Sequence, residues 1–376
     1  MSRPPHGLIR ARVIPPLVLS VLVVLLAFAA PSSPSPSRLS PRQVHVAASA
    51  RANPLIAPRW GTFSGTGGWT WDPVYQAYQK ATGERRLLLK RIATRPLVHW
   101  FGSWVPVDKI TTLTREYIAA MTHNGKYPNT LVQIAAFGMR PWEGAACGHT
   151  FTSAELTRYR NWINGLARGL GSAHVAMILQ PDLPFATCSA HEATPLAAFN
   201  YAARRLSQQP NTTTYIDVGA ADWPSVTRAV HLLRAAGVRY TRGFALNATH
   251  YDSIVHQVGF GAEVAARLSE AGIKNKHFVI STAQNGRPFG YHQYQGPDFN
   301  RAAVCASRTS RRCATLGIPP TTNVADSRLN LPARTASTAR RLVDAYLWIG
   351  RPWLNDRNFD LDLNRALGLA RTTPFG

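Results

Sequence analysis

Carboxylates are scarce in this chain. Nineteen Asp and Glu stand against 42 Lys and Arg, for a formal net charge of +23. An acid at the tip of a strand is therefore informative. Cysteines are rarer still: Cys147, Cys188, Cys305 and Cys313 are the four present. They form no C-x-x-C pair, and no Cys/His cluster has structural-zinc spacing, so no metal site is expected. Their even number permits two disulfides in an exported chain. The G-x-S-x-G elbow of serine hydrolases is missing. So is a G-x-G-x-x-G after the first strand, which leaves a dinucleotide fold without support. Residues 64–68 are glycine-rich, but no Lys-Ser/Thr follows them, and they read as a loop. No cofactor is implied.

What is present begins with a leader-like segment. Arg3, Arg10 and Arg12 precede an apolar run over residues 13–30 that ends in Ala27-Phe28-Ala29. This pattern predicts an export signal, an uncleaved anchor being the alternative. Residues 31–51 are Ser/Pro-rich and aperiodic, as in a linker. Residues 52–376 suffice for one large domain, and no later stretch is long and apolar enough to span a membrane. The basic excess attracts polyanions, yet the arginines are scattered, with short clusters such as Arg204-Arg205 and Arg311-Arg312. Without a nucleic-acid motif, the expectation is a monomer, secreted or held on an anionic cell envelope, with no nucleic-acid partner.

After residue 95, apolar β-like runs (98–102, 130–138, 175–180, 213–218, 241–246, 278–282 and 345–349) alternate with segments of helical period (113–122, 153–170, 195–207, 223–236 and 262–271). Short strands separated by helices imply parallel pairing with crossover helices. Seven or eight such units imply an α/β barrel. Residues 283–344 break the rhythm. They follow a strand, so they belong at the C-terminal face, where barrels of this kind build their sites.

Three acids fall at strand ends. Asp182 closes the run VAMILQPD, Asp217 lies in TTYIDVG, and Asp356 follows the last strand. A carboxyl at the tip of a buried strand is desolvated, which raises its pKa and suits it to give up a proton. The alternatives are a helix cap or a loop ion pair for Asp182, an arginine partner for Asp217, and Arg351 or Arg357 as partner for Asp356. Convergent carboxyls are what glycoside hydrolysis uses. Tryptophans at 100, 104, 142, 223, 348 and 353 lie on or after strands or at helix starts. They serve as stacking surfaces for sugar rings or as core.

These residues resemble glycoside hydrolase family 6, the β-1,4-glucan hydrolases. The likeness spans roughly residues 52–370. It runs through Trp100-Phe101, Ala146-Cys147-Gly148-His149, Gln180-Pro181-Asp182, Tyr215-Ile216-Asp217-Val218-Gly219 with Trp223, Asn247 with Tyr251, Asn285-Gly286, and Asp344-Ala345-Tyr346-Leu347-Trp348-Ile349. The resemblance implies a distorted barrel of seven parallel strands and inverting cleavage of a polysaccharide, a β-glucan. It matches Asp182 to the general acid, Asp217 to a buried Asp of the cluster and Asp356 to the base or charge stabiliser. Trp100 and Trp223 match sugar-stacking rings, and Asn247 and Trp348 count as further substrate-binding positions. Cys147 and Cys188 match the first family disulfide. Cys305 has lost the usual partner for the second, and Cys313, present instead, permits a small local ring.

The chain departs from the pattern at named places. The usual Asp before Cys147 is Ala146, with Glu143 three residues away on a longer loop as a substitute carboxyl. Thr152 stands where a Ser often helps hold the water. The usual Lys after the last strand is Gly350, with Arg351 next to it as a stand-in, and the Gly and Glu that follow become Trp353 and Leu354. Two readings result: an inverting glycosidase acting through Asp182 with Asp356 or Glu143, and a non-catalytic glycan-binding relative. A groove plugged by residues 283–344, or Asp182 locked to an arginine, would favour the second.

Overall fold

The computed structural model describes residues 52–57, 59–63, 65, 72–355 and 360–376, with the backbone alone of Glu143. The expected leader (1–30), the linker (31–51) and Asp356 lie outside the described residues. In chain order the elements are β1 (Arg59–Trp60), α1 (Pro73–Lys80), α2 (Gly83–Ala93), β2 (His99–Gly102), α3 (Ile110–Met121), β3 (Thr130–Phe137), α4 (Ser153–Leu170), β4 (Val175–Leu179), the single turn α5 (Leu183–Ala186), α6 (Ala193–Leu206), β5 (Thr212–Asp217), α7 (Val226–Ala235), β6 (Gly243–Leu246), α8 (Ile254–Glu270), β7 (His277–Ser281), α9 (Ala333–Leu342), β8 (Val343–Leu347) and α10 (Leu363–Thr372).

All the strands pair in parallel. The sheet runs from β3 through β4, β5, β6 and β7 to β8, with β1 beside the start of β3 and β2 beside its end. At the seam, Val98 N donates to Trp348 O at 3.1 Å and Trp100 Nε1 donates to Ile349 O at 2.7 Å. These two bonds join β2 to the end of β8 and curl the sheet into the expected α/β barrel.

The strands are apolar on both faces because both are covered. Inward positions alternate small and large: Ala135, Ala176, Ala245 and Ala345 lie among Phe137, Ile178, Tyr215 and Leu347. Outward positions such as Ile134, Met177, Ile216 and Phe244 pack under the helices. Crowding is strictest at Gly243, where a Cβ would stand 1.6 Å from His277 O. The N-terminal arm stops the lower end: Leu55 is buried within the barrel core, and Asn53 Nδ2 donates to Asp344 O at 2.6 Å. The charge of Asp344 is held there by Arg242 at 2.9 and 3.0 Å and by Tyr215 Oη at 2.7 Å.

Three differences from the sequence reading have physical causes. The helix expected over 262–271 begins at Ile254, because Gly259 and Gly261 do not interrupt it; Gly261 lets the helix lie on the Phe278 ring, which a Cβ would approach to 2.5 Å. The aperiodic stretch 283–344 is not bare loop. It contains α9, and its Phe289 and Leu316 join α1, α2, α10, Trp348 and Trp353 in a second core. Thr152, expected to hold water, is spent on a capping box: it accepts from Glu155 N at 3.2 Å and starts the 18-residue helix α4.

Candidate active site

The site gathers at the C-terminal ends of β4, β5 and β6. Gln180 and Asp182 both adopt left-handed backbone, with φ of 51° and 59°. For non-glycine residues this is a strained conformation that surrounding structure must over-determine. Here Gln180 N donates to Ala136 O at 2.8 Å, and Asp182 N donates to Asp217 Oδ1 at 3.0 Å. The same Oδ1 accepts from Gly219 N at 3.0 Å. Gly219 has φ of 88°, and a Cβ there would meet Trp223 at 2.8 Å, so glycine is required.

Asp182 sits at the N-cap position of α5 but makes no side-chain cap bond, which removes the helix-cap alternative. Its Oδ1 accepts from Thr249 Oγ1 at 2.7 Å. No ion pair joins it to an arginine among the described residues. Burial raises its pKa above the ordinary carboxyl value, opposed by the Thr249 hydrogen bond and by the nearby His250. Asp217 is fully buried, and its Oδ2 has no hydrogen-bond partner among the described residues. Burial, and then the charge of Asp182, push its pKa well above the usual value. Two carboxyls this close and this dry do not both ionise. Among the described residues Asp217 pairs with no arginine; its Oδ1 instead clamps the Asp182 backbone.

The sequence reading missed Thr249, His250 and Asp222. His250 Nδ1 lies 2.8 Å from Asp222 Oδ1, and the imidazole stacks on Trp223 at 5.3 Å with a 12° interplanar angle. The only signal was their position, Thr249 and His250 between Asn247 and Tyr251 and Asp222 just before Trp223.

The expected sugar contacts fare unequally. Trp348 is 1% exposed, lies in the second core against Trp353, and donates Nε1 to Ile318 O at 3.0 Å; it cannot stack on a sugar. Asn247 is also buried, its amide spent on Asp252 O and Ser281 O at 3.3 and 3.0 Å and its Oδ1 on Asp252 N. It shapes the loop after β6 instead of meeting a ligand. Trp100 is 8% exposed, with the Arg351 guanidinium 4.8 Å from its ring centre. Trp223 is partly buried, between His250 and Phe185. The most open of these indoles is that of Trp104, 36% exposed, which meets the partly buried Trp142 edge-on at 6.4 Å beside Phe137.

Both disulfides form, Cys147–Cys188 and Cys305–Cys313. The first ties the loop containing Glu143 and Ala146 to the segment after Asp182, helped by Gly148 N donating to Cys188 O at 3.0 Å. Ala146 is fully buried. The substitute carboxyl, Glu143, opens the turn Glu143–Ala146, and its side chain lies outside the described residues. At Gly350 a Cβ would stand 2.6 Å from Ala248 O. The backbone there leaves no room for the lysine expected at that position, and Leu354 is buried.

A curled parallel sheet with a strained, buried acid at a strand tip defines an α/β barrel whose acids gather at the C-terminal ends of the strands. The profile of the family described as Glycosyl hydrolases family 6 matches residues 70–365, and the chain belongs to that family. Endoglucanase A of Cellulomonas fimi is 30% identical over 227 residues, covering 59% of this chain and 47% of that protein. Endoglucanase A of Thermobispora bispora is 26% identical, covering 73% of this chain and 56% of that protein. The chain spans between about half and two thirds of the length of the curated relatives it matches. Among solved structures, the endoglucanase Cel6 from Mycobacterium tuberculosis, in complex with methyl-cellobiosyl-4-deoxy-4-thio-β-D-cellobioside, superposes with a TM-score of 0.64 at 25% identity, over 85% of this chain and 98% of that one. Endoglucanase Cel6B from Humicola insolens shares the fold, with a TM-score of 0.62 at 15% identity.

Proposed function

We propose that this chain is an exported, inverting glycoside hydrolase acting on β-1,4-glucan. Asp182 gives its proton to the glycosidic oxygen as the C–O bond breaks. Water attacks the anomeric carbon from the opposite face and loses its proton to Asp356, or through a second water to Glu143. Asp217 holds the acid in place. The mechanism requires a second carboxyl roughly 6.5–9.5 Å from the acid. The observation that carries the reading is Asp182 itself, strained into the left-handed region, desolvated, and bonded to a hydroxyl in place of an arginine. The family and the endoglucanase relatives support the substrate class. The basic excess supports attachment of a secreted monomer to an anionic envelope.

A second reading, a non-catalytic glycan-binding relative, is favoured by buried Ala146, the crowded Gly350 and the covered face of Trp100. The test is reducing-sugar release from soluble β-1,4-glucan and mixed-linkage β-glucan. The expected result is release by the chain and a loss of about 1,000-fold in Asp182→Ala, within the range for a removed general acid. Binding without release in both proteins overturns the catalytic reading in favour of the second.

A further inference from the structure

His250 carries a built environment that the proposed hydrolysis leaves unused. Asp222 Oδ1 meets its Nδ1 at 2.8 Å, and Asp222 Oδ2 accepts from Tyr291 N at 2.7 Å. Burial pushes the Asp222 pKa up, but the bonds from His250 and Tyr291 outweigh it and leave the carboxyl below its ordinary value. An ionised carboxylate against Nδ1 holds a proton there and leaves Nε2 available to a further partner. The ring itself is immobilised. Trp223 stacks on it and Phe299 meets it edge-on at 5.2 Å. Gln284 Nε2 holds the carbonyls of Thr249 and His250 at 2.6 and 3.3 Å. Nε2 has no hydrogen-bond partner among the described residues. A fixed, mostly buried imidazole with one idle nitrogen calls for an explanation.

The position narrows the answer. The preceding residue, Thr249, holds the carboxyl of Asp182. A general acid stands beside the oxygen that departs, so a ring fixed next to it flanks the unit leaving with that oxygen.

We propose that His250, locked by Asp222 over Trp223, is the specificity residue for the departing sugar, its Nε2 hydrogen-bonding a ring hydroxyl of that unit. This rests on the hydrolytic reading and assigns the leaving-group side of that site. An aryl leaving group has no such hydroxyl.

The experiment compares cellotetraose with 2,4-dinitrophenyl β-cellobioside as substrates for the chain, His250→Ala, His250→Asn and Asp222→Asn. For His250→Ala, kcat/KM on cellotetraose should fall roughly 10- to 100-fold, as for one lost hydrogen bond to the transition state. The fall on the aryl glycoside should be at least tenfold smaller. His250→Asn, which keeps a polar amide, should recover part of the loss and covers the case in which the alanine variant does not fold. Equal losses on both substrates, or none on either, overturn the proposal. Should the unmutated chain cleave neither substrate, the hydrolytic reading fails by itself. Calorimetric binding of cellotetraose then decides for His250: weaker binding in both His250 variants sustains a glycan contact, and unchanged binding overturns it.

Discussion

Two parts of the barrel mouth have been treated differently. At the rim formed by β4, β5 and β6, polar groups are added and bonded to one another: Asp182 to Thr249, Asp217 to two backbone N–H groups, His250 to Asp222. At the seam between β8 and β2, the lysine and glutamate expected of the family pattern are replaced by Gly350 and Leu354. Gly350 abuts backbone, Leu354 and Trp353 are buried, and Arg351 lies over Trp100. On the proposed reading, proton donation and sugar grip are thus separable in this fold. The acid's environment is set within three neighbouring strands, whereas the seam depends on loops that tolerate replacement.

The comparison breaks most visibly at Asp217. Asp217→Ala leaves two buried N–H groups without an acceptor, costing about 2–4 kcal/mol, and loosening of the acid should cost about 100-fold in sugar release. Asp217→Asn keeps the acceptor and isolates the charge. A pKa raised in the folded state contributes stability that is present below the unfolded value and is lost as pH rises through the folded one. Asparagine has no such titration. The melting temperature of the Asn variant, minus that of the unmutated chain, should therefore increase as pH rises above about 4, the unfolded carboxyl value. A flat difference between acid and neutral pH would show that Asp217 is solvated, and the rim no more built than the seam.

How much of this was legible in the sequence follows the same division. Seven strand-like runs and their parallel pairing could be read because apolar runs and helical periods alternate, and helix 153–170 was placed to the residue, whereas the two-residue β1 was missed. Asp182 stood out because it is an acid at a strand tip in a chain with few acids. What was not legible depends on tertiary neighbours. Gly261 looks like a helix breaker until Phe278 is seen beneath it. Trp348 looks like a sugar platform until α1, α2 and α10 are known to bury its neighbourhood. The pairing of His250 with Asp222 links residues 28 apart with no motif between them.

A subtler test of the rim is Thr249→Val. The Thr249 hydroxyl stabilises the charged form of Asp182 and holds its pKa below what burial alone would set. Removing it raises that pKa, so the acid keeps its proton to higher pH. The basic limb of the kcat/KM profile should move upward by about one pH unit, the equivalent of one charge-assisted hydrogen bond. A limb that stays put or moves down would mean that another group sets it.

The smallest expected effect lies at the seam, at Arg351. Gly350 has no space for a side chain against Ala248 O, so the next side chain along the chain is that of Arg351, whose guanidinium lies 4.8 Å from the Trp100 ring centre. The indole N–H is already bonded to Ile349 O, so only the ring face remains to be offered to a sugar, and the arginine competes for it. Arg351→Ala removes a cation–π contact worth about 0.5–1 kcal/mol, a minor loss of stability, and frees that face. KM for long β-glucan should fall about threefold with kcat little changed, the signature of altered uniform binding. Arg351→Lys, which keeps a cation without the planar fork, should fall between the two. A rise in KM would reverse the reading of the seam: Arg351 would then grip a sugar hydroxyl in place of the lysine for which Gly350 leaves no room, and the two parts of the mouth would differ in residues but not in role.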